Sequence, residues 1–242
     1  NGQKVWTTLG HYADYMILLA RTDPAAERKY AGLSFFLAPM KIPGVEARPI
    51  RKMTNEYGFT ETFFTDARIP ADCIMGAENQ GWAIAMRTLQ YERGAEAGAA
   101  GGPIFAPMRV ADLIALAEAT ERDGKPATED PVIQDQLVAL AIEERALHAS
   151  RHRAHIPALV NERPAALPLS EKLRGTELQR RLRLFAVGLQ GAAGGVYVGD
   201  HSAVNGGEWQ RAYMNNFGAT IGGGTSQVQA NIVGEMVLGL PK

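Results

Sequence analysis

The sequence is short of the features that most quickly assign a function. It holds one cysteine, Cys73, which excludes an internal disulfide framework and a multi-cysteine metal site. A lone thiol fits a reducing compartment without proving one. No apolar run approaches the roughly 20 residues that a membrane-spanning helix needs, and no signal peptide is visible. Neither sign of charge is in excess. The 25 basic and 26 acidic residues leave a formal net charge of -1, so there is no overall electrostatic case for a nucleic-acid partner. The one basic cluster, Arg174, Arg180, Arg181 and Arg183, is diluted by Glu171 and Glu177, and its spacing suits the solvated or inter-subunit face of a helix. The zinc-protease H-E-x-x-H motif, the phosphate-loop lysine motif, the serine nucleophile elbow and the glycine fingerprint of dinucleotide-binding βαβ units are all missing. The chain opens on Asn1 and Gly2 without an initiator methionine, which reads as a boundary of processing or cloning.

What is present is ordinary for a soluble globular protein. Hydrophobic residues make up 46% and charged residues 21% of 242 residues, enough for one or two domains with a real core. The front of the chain reads as short strands. Residues 15–20 (YMILLA) and 33–38 (LSFFLA) are apolar runs of strand length, separated by a polar loop with a proline at 22–28. Residues 45–50 and 60–65 are further strand candidates, and Pro43-Gly44 marks a turn. Pro70 ends this part, because it cannot donate to a ladder and restricts Ile69. From about Glu78 the apolar spacing becomes helical, through Trp82, Ile84, Ala85, Met86 and Leu89. Further helices are expected near 104–121, 130–157, 170–190 and 205–217, with a last one over 225–240 capped by Thr225 or Ser226. Residues 98–103 (GAAGGP) imply a kink or break, and 123–131 (DGKPATEDP) and 161–168 interrupt the helices. Several helices with short connections imply a bundle.

The side chains alone leave the chemistry open. His148, His152 and His155 fall at helical spacing and share a face. Yet Ala149 stands where a zinc protease needs its glutamate, and Arg151 and Arg153 oppose a cation, so a polar bundle face is the better reading. The run Gly222-Gly223-Gly224-Thr225 brings backbone N–H groups to one turn, a feature of anion sites and also of plain turn geometry. Glu92, between Tyr91 and Arg93, would abstract a proton if burial raised its pKa. Taken by itself the Glu92–Arg93 pair reads as a surface ion pair.

Ordered motifs along the whole chain go further. NGQKVWTT at 1–8, YADYMILLARTDP at 12–24, GLSFFLAP at 32–39, PGVEARPI at 43–50, FFTDARIPADCIMGAENQGW at 63–82 and FGATIGGGTSQVQANIVGEMVLGLPK at 217–242 together resemble the acyl-CoA dehydrogenases. The closing stretch is the most specific. The resemblance implies an α+β fold: a partial middle β domain over 1–73, then a carboxy-terminal four-helix bundle over 74–242. The family's amino-terminal helical domain and the early part of its β domain are absent from this sequence. That implies a fragment, or one piece of a split or processed enzyme.

The resemblance also implies FAD as cofactor. Trp6 and Thr8 match positions beside the isoalloxazine, Trp6 packing near the ring and Thr8 bonding the N5 region. Arg122 matches an arginine that reaches the FAD pyrophosphate of a neighbouring subunit, although Asp123-Gly124-Lys125-Pro126 departs from the Phe-Gly that usually follows. Thr225 and Gln227 match residues near FAD in the closing loop. Each has a plain packing or capping role as its alternative. Many straight-chain members place the catalytic glutamate just before Gly-Thr in that loop; here the position is Gly223, which has no side chain. A branch resembling isovaleryl- and long-chain acyl-CoA dehydrogenases places it on the first bundle helix in a Glu-Arg pair, and Glu92 matches. Arg93 would order the site.

The implied reaction is α-proton removal by Glu92 and hydride transfer to flavin N5, giving a trans-2-enoyl-CoA. Its partners would be an acyl-CoA and an electron-transferring flavoprotein, in a homo- or hetero-oligomer, dimer or tetramer, with a chain supplying the missing domain. No metal, nucleic acid or integral membrane segment is expected. The compartment would be the cytoplasm of a bacterium or the mitochondrial matrix of a eukaryote, which the sequence does not decide. The competing readings are a non-catalytic subunit of a mixed assembly and a related flavin oxidase. The acyl group is not readable.

Overall fold

A computed structural model describes residues 1–94, 107–154, 156–159 and 166–241, with the backbone alone at 90–94, 154, 157, 166–169 and 236. The chain divides into two compact units, Asn1–Glu92 and Arg93–Lys242. The first is built of β-strands and one helix, the second of helices. The expected α+β architecture with a helical bundle in the second part is present.

In the first unit, β1 (Gly2–Thr8), β5 (Tyr57–Phe64) and β4 (Val45–Arg51) form an antiparallel sheet in the order β1-β5-β4. β2 (Tyr15–Arg21) and β3 (Leu33–Pro39) form a separate antiparallel pair in unbroken register from Tyr15↔Pro39 to Arg21↔Leu33. Side chains alternate across a strand, so Met16 and Leu18 enter the core while Tyr15 and Ile17 are exposed. Ala38 and Met40 complete that core, with Phe36, Phe64 and Ile69 packed against it. The four apolar or β-branched runs are strands, as their pattern predicts. The first strand, β1, is nearly all exposed and has no apolar alternation to announce it. Helix α1 (Gly81–Gly94) follows.

The second unit contains α2 (Val110–Ala119), α3 (Pro131–Ala154), α4 (Ala166–Leu189), α5 (Glu208–Ala219) and α6 (Ser226–Ile232), the last running into a π-helical turn at Val233–Val237. Helix α4 buries Leu178, Leu182, Ala186 and Leu189, a three- and four-residue stripe. Leu113 and Leu116 of α2 and Ile133, Leu137, Leu140 and Leu147 of α3 meet it in one core. The expected kink at 98–103 lies outside the described residues.

Two details differ from expectation. The interruption after α2 contains a hairpin, β6 (Glu121–Arg122) and β7 (Lys125–Pro126). Asp123 (φ 50°) and Gly124 (φ 75°) make its two-residue loop, and Asp-Gly is a pair suited to positive φ at both central positions. The arginine cluster on α4 is also not a uniform solvated face. Arg180 pairs with Glu177, and Arg181 with Glu143. Arg183 is buried and donates to Asn216 Oδ1 at 2.5 Å. Gln210 Nε2 donates to Gln190 Oε1 at 2.9 Å, so the α4–α5 seam is partly polar.

Candidate functional site

β1 carries a bulge at its centre. Lys4 pairs with Thr62 and Thr7 with Thr60, so two residues of β1, Val5 and Trp6, face the single residue Glu61. Trp6 takes φ 64°, a left-handed conformation that a bulky aromatic residue rarely adopts and that costs about 1–3 kcal/mol. Below the bulge lies a column of hydroxyls. Thr62 Oγ1 donates to Thr7 Oγ1 at 3.1 Å, and Thr60 Oγ1 donates to the Thr7 carbonyl at 3.3 Å. Thr60 and Thr62 are fully buried. With Thr7 tied inward, Trp6 and Thr8 are left exposed on the same strand, Trp6 at 61% with its ring edge-on to Phe59 at 5.8 Å. Both residues that the family resemblance puts beside a flavin are thus on β1 and exposed.

Helix α1 carries Glu92 and Arg93 in its last turn; their side chains lie outside the described residues. Its start is closely specified. Asn79, at φ 65°, donates its N–H to Ser34 Oγ at 2.8 Å and accepts from Thr22 Oγ1 at 2.9 Å. Trp82 stacks on Tyr30 with centroids 4.0 Å apart and planes 12° from parallel. Gly81 lies against the β3 backbone, where a Cβ would come 2.4 Å from the Ser34 carbonyl carbon. Glu92 follows Trp82 by ten residues, about 15 Å along the helix.

In the second unit, Thr225 and Gln227 open α6. Thr225 is its N-cap, Oγ1 accepting from the Val228 N–H at 3.2 Å; the hydroxyl hydrogen remains available as a donor. Gln227 is exposed. Gly223 and Gly224 precede them at φ 66° and 96°. Three side chains tie down the turn. Lys172 Nζ donates to the Gly224 carbonyl at 2.6 Å, Gln229 Nε2 to the Gly223 carbonyl at 2.8 Å, and Ser226 Oγ to Glu177 Oε1 at 2.6 Å. The Ser226 bond is the largest influence on the Glu177 carboxyl and holds it below its usual range, against burial and with help from Arg180. Lys172, Gln229 and Glu177 support the turn, and the sequence reading names none of them for that place. Nothing in the residue pattern shows that α4 backs this turn.

Arg122 is exposed on the β6–β7 hairpin and borders an open cavity of about 600 Å3 along α3 and α4. The Glu143–Arg181 pair, Leu184 and Phe185 also line it. No hydrogen bond joins Arg122 to Thr225 or Gln227 among the described residues. His148 and His152 are exposed on α3, and His155 lies outside the described residues. Among the described residues no group of three histidine, cysteine, aspartate or glutamate side chains could hold a metal ion. No described helix is long and apolar enough to cross a membrane.

Small antiparallel sheets followed by an all-helical bundle define an α+β class built from two units. The family models for the acyl-CoA dehydrogenase middle domain and the acyl-CoA dehydrogenase C-terminal domain match residues 1–67 and 79–238. The chain belongs to the acyl-CoA dehydrogenase family. It is 38% identical over its full length to the acyl-CoA dehydrogenase IpdE1 of Mycolicibacterium smegmatis and 37% identical to IpdE1 of Mycobacterium tuberculosis. It spans 57% and 59% of the length of those two proteins. Among solved structures it superimposes on the Tcur3481-Tcur3483 steroid ACAD with a TM-score of 0.84 at 27% identity, covering all of this chain and 60% of that one. The ChsE4-ChsE5 complex from Mycobacterium tuberculosis matches at 0.81 and 28%, over all of this chain and 61% of that one.

Proposed function

We propose that the protein containing this chain dehydrogenates an acyl-CoA thioester between Cα and Cβ, with Glu92 as the base that takes the α proton. The observation that carries the base assignment is Gly223. Its φ of 66° is a conformation in which a glutamate would be strained, so the closing turn is not built to hold a carboxylate. Glu92, in the last turn of α1, is the carboxylate that the resemblance supplies instead.

The residues present fit FAD by the chemistry of the groups they offer. Trp6 presents an exposed flat indole, Thr8 an exposed hydroxyl beside it, and Thr225 a hydroxyl donor at a glycine turn. Bound FAD would supply the acceptor for the β hydrogen and its electron pair. The chain's own work is to hold and to take a proton. By the resemblance, Trp6 and Thr8 in the first unit would face the ring system, Thr225 and Gln227 in the second would offer polar groups to the cofactor, and Arg122 would reach the pyrophosphate of a neighbouring subunit's cofactor. Glu92 receives the α proton on a carboxylate oxygen, with Arg93 ordering the site. Hydrogen-bond donors at the thioester carbonyl would stabilise the charge that develops there. An electron-transferring flavoprotein would be the partner that reoxidises the enzyme.

For the acyl group we propose a bulky, ring-containing one, in an assembly of two kinds of chain. Support comes from the likeness to a steroid acyl-CoA dehydrogenase and to a two-component complex. The test is anaerobic mixing of the full enzyme with straight-chain, branched and ring-containing acyl-CoAs while oxidised-flavin absorbance is followed. Bleaching with enoyl-CoA formation is expected with the ring-containing group. Glu92→Gln is expected to lower kcat by about 10²–10⁴-fold with FAD still bound. A near-normal rate in that variant would remove Glu92 as the base, and absence of bleaching with every acyl group would favour a non-catalytic subunit.

A further inference from the structure

The closing turn is tied to α4 by a charged side chain far away in sequence. Lys172 precedes Gly224 by 52 residues and donates to its carbonyl at 2.6 Å. The preceding carbonyl, that of Gly223, accepts from Gln229, which is only 1% exposed. Two consecutive carbonyls are therefore fixed by side chains. A trans peptide sets its N–H opposite its C=O, so these two bonds also fix where the Gly224 and Thr225 N–H groups face, and with them the entry into α6. The fit leaves little slack. A Cβ on Gly224 would come 2.6 Å from Gln229 Nε2, and one on Gly223 would touch the Lys172 stem at 3.8 Å. Of the two donors, Lys172 is the charge-assisted one and the stronger by about twofold.

We infer that Lys172 is a positioning residue: by holding the Gly224 carbonyl it sets the orientation in which Thr225 and Gln227 receive FAD. The inference rests on the reading of the closing turn as part of the FAD site. It assigns Lys172 no contact with the cofactor or the substrate. Loss of its bond frees the Gly224 carbonyl and leaves Gln229 to hold the neighbouring Gly223 carbonyl, at a point where two left-handed glycines add little conformational restraint of their own.

The test uses the full enzyme containing this chain. Apo-enzyme is titrated with FAD, the visible flavin spectrum of the loaded protein is recorded, and thermal unfolding is followed by circular dichroism. Lys172→Met keeps the apolar stem and removes the ammonium, Lys172→Arg keeps a cationic donor, and Thr225→Ala probes the FAD contact directly. Lys172→Met is expected to weaken FAD binding about 10-fold and to shift the flavin spectrum, with the unfolding midpoint of the apo-enzyme unchanged and most of the affinity restored in Lys172→Arg. Wild-type FAD affinity and spectrum in Lys172→Met, with weakened binding in Thr225→Ala, overturns the inference and leaves the FAD reading of the turn standing. No effect in either variant overturns both. A lowered midpoint with FAD binding untouched, or a loss that arginine does not restore, makes Lys172 a plain packing residue and likewise overturns it. If Lys172→Met does not fold, Lys172→Gln, a neutral donor, carries the same reading: weaker FAD binding than wild type supports positioning and equal binding overturns it.

Discussion

Ser226 and Glu177 show how a single hydroxyl sets a charge. The Ser226 Oγ–Glu177 Oε1 bond of 2.6 Å joins the first turn of α6 to α4. Because the bond favours the carboxylate, the carboxyl of Glu177 is held below its usual range. A carboxyl depressed in the folded state contributes stability above its unfolded pKa and loses it as pH falls through the folded one. This tie therefore opens on acidification, below the usual carboxylate range. Ser226→Ala is expected to move the Glu177 titration up towards the ordinary value of 4.5, read by NMR of the carboxyl carbon. An unmoved titration would mean that Arg180 and Arg181 set the charge without the hydroxyl. At this scale the sequence was legible only where a motif names a residue. Thr225 as cap follows from its residue type and place. Trp6 at positive φ does not, because nothing in NGQKVWTT marks where the extra residue of the bulge falls. The pairing with β5 decides that, 58 positions away at Lys4 and Thr62.

The elements are more legible than their joints. Alternating burial on β2 and the stripe on α4 repeat patterns visible in the residues, since both periods are local properties of the backbone. The seat of α1 is a joint. Gly81 is a glycine because β3 passes beneath it, with the Ser34 carbonyl carbon 2.4 Å from where a Cβ would lie. Gly81→Ala is expected to cost about 1–3 kcal/mol through that backbone clash, seen as a lower unfolding midpoint. The same helix carries Glu92, so a tilt at its start also displaces the proposed base. The expected signature is a fall in kcat at the higher temperatures where the holoenzyme is still folded. Wild-type midpoint and kcat in this variant would mean that β3 yields to the added methyl. The β6–β7 hairpin is the opposite case. Asp123-Gly124 is a strong two-residue turn signal, yet its strands are two residues each, too short for a periodic pattern to register.

The described residues form two cores, one in each unit. That of the bundle is larger and centres on α4, where Leu113 of α2 and Leu182 are both fully buried. Leu182→Ala is expected to destabilise the bundle by about 2–5 kcal/mol, measured as a shifted denaturant midpoint with the slope unchanged; a shift below that range would mean that the neighbours collapse into the space. The chain spans 57% of the length of the M. smegmatis relative, so the proposed catalysis, acyl group and partner chain are tested on the whole protein.

The residues alone determined the class of fold, four of the strands and the main helices in their order along the chain, and the family. These depend on periodicity and on short ordered motifs, which are local. Tertiary structure decided the bulge that exposes Trp6, the close approach at Gly81, the inward turn of Arg183 and the clamp on the closing turn. Each of these depends on atoms that meet across tens of residues. No spacing in the chain encodes such meetings, because they exist only once strands have paired and helices have packed.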